Sequence, residues 1–513
     1  MTTMKPVADH IELSEPAFLQ LDHQLSVWNL MKKHRRALLV CTISFTSGIL
    51  FGFDTIVNGA GVSMPAFIVY FGKVDAAGSL YLPSLWTSLW TSMSALAQAL
   101  SAMATGALAD RLGRKWCGVI GGVISFAGAA IQCTAQTRSI LLAGKIVGGF
   151  GIGMTMAIGM TYASEVVPPR LVPLIQKCLV IFILFMQGLA MGVIRIFVPD
   201  TSEHAFRTVF AIQFGVAALV FIAYSLAPES PAFLVMRNRH ESAKKTMSML
   251  YSEECEREER YAYLVQTITE ERERNSDDAS YLECFSGSNL KRTLTMMFLF
   301  AAVNIGGGPF LSQSIYFLIT VGLPTVHIFD ISIGGFALAI IIIIATELLM
   351  INFPRDKVFL GGCFLNFITM LTVGCLFYAK GSGPIWAIAV LMNILISLEA
   401  AFMQAPGWSI AAEISSLRLR AKSMSLGIMA QTLSTWVFTF TVPYMYNVDS
   451  GDLGARTGFV FAGTSVLLLW GALTIVPNTT GLSPGDIDDM YEARVPIREF
   501  SKHRPGLDDS ISV

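Results

Sequence analysis

Charge is what this sequence has least of. Asp, Glu, Lys and Arg make up 14% of its 513 residues, and their formal sum is -1 at pH 7. A chain so balanced has no call on nucleic acid, because its cations are scattered among short turns instead of forming one patch. Cysteine is present without a pattern. Six of the eight (Cys41, Cys117, Cys133, Cys178, Cys363 and Cys375) fall in apolar runs and two (Cys255 and Cys284) in a charged stretch, with no pairing or zinc spacing. That excludes a disulfide framework and gives no metal site. Also missing are a nucleophile with a base partner, metal-ligand spacing and a phosphate loop, so neither an enzyme nor a cofactor is expected. Residues 1 to 31 lack the basic start, short apolar core and small-residue cleavage site of a removable signal peptide.

Hydrophobic residues are abundant, at 53%, and the mean hydropathy is +0.58. Runs at about 37 to 62, 83 to 105, 117 to 136, 139 to 164, 171 to 197 and 208 to 227 each reach membrane length. Six more follow at about 293 to 320, 327 to 352, 358 to 378, 384 to 413, 422 to 446 and 456 to 476. Between the sets, residues 231–291 are polar. Glu253 to Arg260 and Glu270 to Arg274 in that stretch are spaced for surface helices with charge pairs one turn apart. The fold class expected is an all-α membrane protein of twelve transmembrane helices in two bundles, 37–230 and 292–476. A tail (1–36), the linker and a second tail (477–513) flank them.

Cations orient the bundles. Lys32 to Arg36 precede the first run, and Arg111/Arg114/Lys115, Arg170, the linker, Arg355/Lys357 and Arg418/Arg420/Lys422 all fall on the same side. Positive charge stays inside, so both tails and the linker are predicted to be cytoplasmic. The sequon Asn478-Thr479-Thr480 falls on that side and should carry no glycan. Twelve helices in two halves form a transporter architecture, with the substrate at the midplane between the halves. Gly144/Gly148 and Gly149/Gly153, spaced by four, predict close packing of the fourth helix.

Several motifs resemble the sugar porter family of the major facilitator superfamily. They are Phe51-Gly52-Phe53-Asp54-Thr55, Gly106 to Lys115, Glu165 to Leu171, Pro228 to Leu234, Trp408 to Glu413 and Arg418 to Lys422. The tail Asp488 to Pro496 is similar to the fungal alpha-glucoside (maltose) permease branch. The resemblance implies a secondary transporter working as a monomer in the lipid bilayer, expected in the plasma membrane. Its expected activity is proton symport of an alpha-glucoside, hexose or similar hydroxylated small molecule. Departures leave two alternatives: a transporter or exporter of a non-sugar metabolite, or a sugar sensor that does not transport. The helix-five amide has become Val180, the helix-seven Gln-Gln pair is Val303-Asn304, and the second-half Gly-Arg-Arg turn is Phe353-Pro354-Arg355-Asp356.

An ionisable residue within a span is costly and points to function. Asp54 and Lys145 lie at one depth and are expected to pair, Lys145 standing where relatives carry arginine. Release of that pair on protonation would couple protons to transport. Glu399, mid-way along the tenth span, takes the place of an aromatic pocket residue. It can accept hydrogen bonds from hydroxyls, attract a cation, or act as a second proton site. Gln431 and Trp408 match family sugar contacts, with Asn304 and Gln187 as further binding candidates. For the inner gate the resemblance implies Asp110, Arg111, Arg114, Glu165, Arg170, Glu413, Arg418 and Arg420. Glu347, about a turn before Ile351, is expected to replace a missing acid there.

Overall fold

A computed structural model describes residues 18, 22, 24–75, 78, 80–252, 254–274, 281–415, 419–480, 482, 487, 490–493, 495–497 and 500. The first bundle holds six long helices: Arg35–Gly59, Ser84–Leu112, Arg114–Thr134, Arg138–Val166, Val172–Phe197 and Glu203–Leu226. The second begins with a broken helix, Gly287–Gly306, Gly308–Ser312 and Ser314–Thr320. It continues with Thr325–Asn352, Arg355–Leu376, an interrupted tenth helix (Gly383–Leu398, then Ala405–Ile414), Arg420–Tyr446 and Thr457–Thr474. These twelve are numbered below as spans in chain order.

Nine helices among the described residues are long and apolar enough to cross a membrane. The other three spans fall short for physical reasons. The seventh is broken. The second and eleventh are rich in serine and threonine, whose hydroxyls bond back to their own helix. Thr91 donates to the Thr87 carbonyl at 2.8 Å and Thr105 to the Ser101 carbonyl at 2.6 Å. Backbone carbonyls thereby satisfy hydroxyls that lipid could not.

Glycine sets the helix separation in the first bundle. A Cβ on Gly128 would lie 2.4 Å from the Gly148 Cα, and one on Gly153 would lie 2.0 Å from the Gln98 carbonyl oxygen. The fourth span therefore touches the third and second backbone to backbone, the packing its four-residue glycine spacing predicts.

Two expectations need revision. The run at 293 to 320 is not one helix: Gly307 takes φ +114° and breaks it near its middle. The tenth span opens into a π-helical turn over Glu399–Gln404. Pro406 follows directly, and proline removes a backbone donor while crowding the carbonyl four residues earlier, here that of Phe402. An unanticipated short helix, Pro65–Phe71, and a two-stranded hairpin, Lys73–Val74 with Leu80–Tyr81, fill the loop after the first span.

Among its described residues the linker forms three α-helices, Pro231–Met236, His240–Leu250 and Glu254–Arg274, and a 3-10 turn, Tyr281–Phe285. Tyr251, Met247 and Leu250 pack on Ala37, Tyr162 and Val166 at the base of the first bundle. After the twelfth span, Ile487, Met490, Tyr491 and Phe500 pack on the second bundle. Polar contacts between the bundles gather at the opposite end, called here the far end. The Ser84 amide and hydroxyl donate to the Asp449 carboxylate, the amide at 3.0 Å. Asn447 reaches the Leu82 carbonyl at 3.0 Å, the Leu82 amide donates to the Tyr316 hydroxyl at 2.8 Å, and Arg195 pairs with Asp330 at 2.8 Å.

Candidate functional site: a central cavity with two buried carboxyl groups

A cavity of about 430 Å³ lies between the bundles, where the first, second, fifth, seventh, eighth, tenth and eleventh spans converge. Much of its wall is apolar, including Phe51, Ile56, Met191, Leu311, Phe336 and Ile396. Polar groups interrupt that wall at a few points, the usual make-up of a small-molecule site.

Asp54 stands behind the wall, 2% exposed. Its Oδ1 accepts from Gln213 Nε2 at 2.7 Å, and its Oδ2 from Asn58 Nδ2 at 2.6 Å and Gln98 Nε2 at 3.3 Å. Charged hydrogen bonds to three amides compensate much of the cost of burying a carboxylate. Lys145, 1% exposed, is in the same cluster. The expected direct pair is corrected here: among the described residues Asp54 and Lys145 form no ion pair. Asn58 stands between them, donating to Asp54 and accepting from the Lys145 ammonium. Asn58 and Gln98 also line the cavity, so both connect the hidden carboxylate to it. Neither residue, nor Gln213, was singled out from sequence. Asn58 had a legible signal, since i and i+4 share a helix face. Gln98 and Gln213, on other helices, had none.

Glu399 is on the opposite wall and 3% exposed. A Cβ at Gly308 would come within 3.3 Å of its Oε2 and one at Gly306 within 3.4 Å of its Oε1. The carboxyl group therefore lies against the break in the seventh span. Its Oε1 is buried without a hydrogen-bond partner. Nearby, Asn366 donates to the Gly306 carbonyl at 2.9 Å and to Ser465 Oγ at 3.0 Å, holding the broken end in place.

The remaining binding candidates divide. Asn304 and Gln187 line the cavity with Glu399. Asn304 Nδ2 donates to the Gln431 carbonyl at 3.1 Å and to Ser434 Oγ at 2.9 Å. Trp408 and Gln431 are not among the wall residues. Trp408 instead stacks on Phe300 with ring centres 5.8 Å apart, and Gln431 meets Asn304 through its backbone.

At the linker end, the candidate gate charges pair within each bundle. Arg114 chelates Glu165, with Nε at 3.0 and 3.1 Å and an Nη at 2.8 Å, and reaches Asp110 at 3.3 Å. Glu229 accepts from the Arg114 and Lys115 amides at 2.9 and 3.1 Å. Gly113 must remain glycine there, since a Cβ would fall 2.2 Å from the Glu229 carboxylate and φ is +96°. Arg111 is exposed and offers its carbonyl to Arg237 at 2.9 Å. In the second bundle Arg355 pairs with Glu413, so the altered turn keeps a working cation. Arg418 lies outside the described residues, as do the side chains of Arg420 and Glu347.

Arg170 does something else. Its guanidinium holds the Asp22 and Leu25 carbonyls and so fastens the N-terminal segment. Beside it, Asp22, His34, Glu256, Arg260 and Lys33 form a charge cluster. Glu256 and Arg260 are a charge pair one turn apart, but they are buried at 8% and 6% exposure instead of lying on the surface. Burial opposes ionisation of Asp22, but hydrogen bonds from His34 and Arg260 prevail and hold its carboxyl down at about 2. The ligand-type atoms of Asp22, His34 and Glu256 lie within 4.8 Å of one another. Arg260 and Lys33 already neutralise both carboxylates, which makes this a latch and not a cation site.

The comparisons fit this geometry. The profile of the family described as "Sugar (and other) transporter" matches residues 39–491. The chain belongs to this family. It is 41% identical to the MFS transporter fmqE of Aspergillus fumigatus, over 94% of this chain and 92% of that protein. The general alpha-glucoside permease of Saccharomyces cerevisiae is 25% identical over 91% of this chain and 77% of its own length. Among solved structures, the inward open conformation of the xylose transporter XylE from E. coli superposes with a TM-score of 0.70. It covers 88% of this chain and 99% of that one at 17% identity, a likeness of fold. The family member described here is thus a multi-pass integral membrane transport protein of the major facilitator fold.

Proposed function

We propose that this family member is a proton-coupled secondary transporter, carrying a small organic molecule through the central cavity by alternating access. The observation that supports this most is Asp54, an ionisable group buried in the membrane and joined to the cavity wall through Asn58 and Gln98. Ionised, Asp54 accepts from three amides, and Asn58 ties it to Lys145. Protonation turns one carboxyl oxygen from an acceptor into a donor. On Oδ2 the proton takes a site that Asn58 or Gln98 uses, and the displaced amide can turn to the cavity. Proton binding on one side of the wall thereby changes the hydrogen bonding offered to a ligand on the other.

The linker end, where the cations gather, is read as cytoplasmic, with both termini inside and the plasma membrane as location. The far-end contacts then close the outer face, as in an inward-facing state. Gln187, Asn304 and Gln404 on the wall suit hydroxyl groups, so hexoses and alpha-glucosides are the first substrates to test. A second reading, a non-sugar substrate moving in or out, is favoured by the apolar wall and by the unpartnered oxygen of Glu399.

In proteoliposomes carrying a pH gradient, wild type should accumulate its substrate and acidify the lumen as it does so. Asp54→Asn should lose accumulation and proton uptake while still exchanging labelled for unlabelled substrate. Full proton-driven accumulation by Asp54→Asn would reject the coupling role.

A further inference from the structure

The second buried carboxyl group has no task in that scheme. Among the described residues lining the cavity, Glu399 alone is ionisable. Its Oε1 is sealed from solvent without a hydrogen bond, and its side chain is 97% buried, leaving 3% exposed. An ionised carboxylate so placed costs several kcal/mol unless a cation or donors approach it. Cations nearest in function are occupied elsewhere: Lys145 is held by Asn58 across the cavity, and Arg355 pairs with Glu413 at the linker end. The local fold maintains the arrangement. The π-helical turn beginning at Glu399 precedes Pro406, and the break at Gly306–Gly308 leaves room that a Cβ at Gly308 would take from Oε2. Irregular backbone in a membrane persists where it lines a cavity, and π-turns recur at functional sites.

We propose that Glu399 anchors a protonated amine, and that the cavity takes an organic cation: one ammonium group on a largely apolar body. The ammonium would sit between the Glu399 carboxylate and the break of the seventh span at Gly306–Gly308. The apolar body would lie along Phe51, Met191, Leu311 and Phe336. A hexose presents the reverse chemistry, hydroxyls on every face and no charge: it can donate hydrogen bonds to the carboxylate but does not neutralise it, and it lays its other hydroxyls against an apolar wall. This inference rests on the reading that the central cavity is the substrate site.

Phenethylamine and 2-phenylethanol share a skeleton and differ in the cationic group, so their affinities for purified full-length protein in nanodiscs, measured by calorimetry at neutral pH, isolate the anchor. Wild type should bind the amine more tightly by about tenfold or more. Glu399→Gln, nearly isosteric and relieved of a buried charge, should fold at least as stably and bring the two ligands to equal affinity. Glu399→Asp should restore part of the preference. Ala95→Trp, which fills the cavity, should lose both ligands. No amine preference in wild type, or an undiminished one in Glu399→Gln, overturns the anchor. If Ala95→Trp still loses both ligands in that case, the cavity stands as the binding site and only the anchor falls. If Ala95→Trp keeps both, the cavity reading falls as well. Binding needs no proton gradient, and with Asp54 intact and one pH throughout, the comparison reads the anchor apart from proton coupling.

Discussion

Asn58 is the residue on which proton coupling turns, because among the described residues it is the one side chain that touches Asp54, Lys145 and the cavity together. Asn58→Ala should separate the two charges and strand the Lys145 ammonium without its recorded acceptor. The expected cost is about 1–3 kcal/mol of stability. Proton-driven accumulation should fall by roughly tenfold or more, a loss of coupling equivalent to at least 1.4 kcal/mol. A thermal-shift series together with proteoliposome uptake checks both. At the latch, Asp22 titrates lower in the folded protein, at about 2, than its usual 3.8. A depressed carboxyl contributes stability that is complete above its unfolded value and is lost as pH falls from about 4 toward 2. Protease cleavage of the N-terminal segment should therefore be slow at pH 5 to 7 and quicken below about 4. Asp22→Asn should be cut readily at neutral pH, since breaking a buried pair costs about 3–5 kcal/mol.

Two elements depart from regular helix, and both border the cavity. The seventh span breaks at Gly307, where φ +114° suits only glycine and a Cβ would meet Met370 Cε at 2.7 Å. Gly307→Ala should cost roughly 1–3 kcal/mol and depress transport. Unchanged melting and uptake would show the break to be incidental. The tenth span widens ahead of Pro406. Sequence reasoning found both spans and Glu399 itself. It could not place the break, because three consecutive glycines are compatible with a flexible helix as well as a turn. Nor could it see that Trp408 stacks on Phe300 outside the wall, because helical position alone leaves open which neighbour a ring meets. The charge pairs of the linker were legible as Glu256 and Arg260, yet their burial was not, since it depends on the distant Asp22 and His34. The fold was readable because span length, turn charge and motif order all act locally. The bridge of Asn58 to Lys145 crosses from the first helix to the fourth and lies beyond any local pattern.

For the whole molecule, the bundles meet at the far end through Ser84–Asp449, Asn447–Leu82 and Arg195–Asp330, while the linker packs on both bundles, with Tyr251 against the first and Cys284 against Leu426 of the second, and the tail on the second. Asp449 accepts from Ser84 at the buried start of the second span, so one carboxylate from one bundle caps a helix of the other. Asp449→Ala should weaken this closure and shift the population toward opening at the far end, read as a longer spin-label distance between the two bundles there. Alternating access driven by protons makes a sharper demand, on the thermodynamics of flux. The measurement to make is the substrate gradient at which net flux through wild-type proteoliposomes stops, taken at several imposed pH gradients. One coupled proton moves that balance point by about tenfold in substrate ratio per pH unit at zero membrane potential, and Asp54→Asn should balance at equal concentrations whatever the pH gradient. A wild-type balance point that stays at equal concentrations across all pH gradients would contradict proton coupling and leave facilitated diffusion.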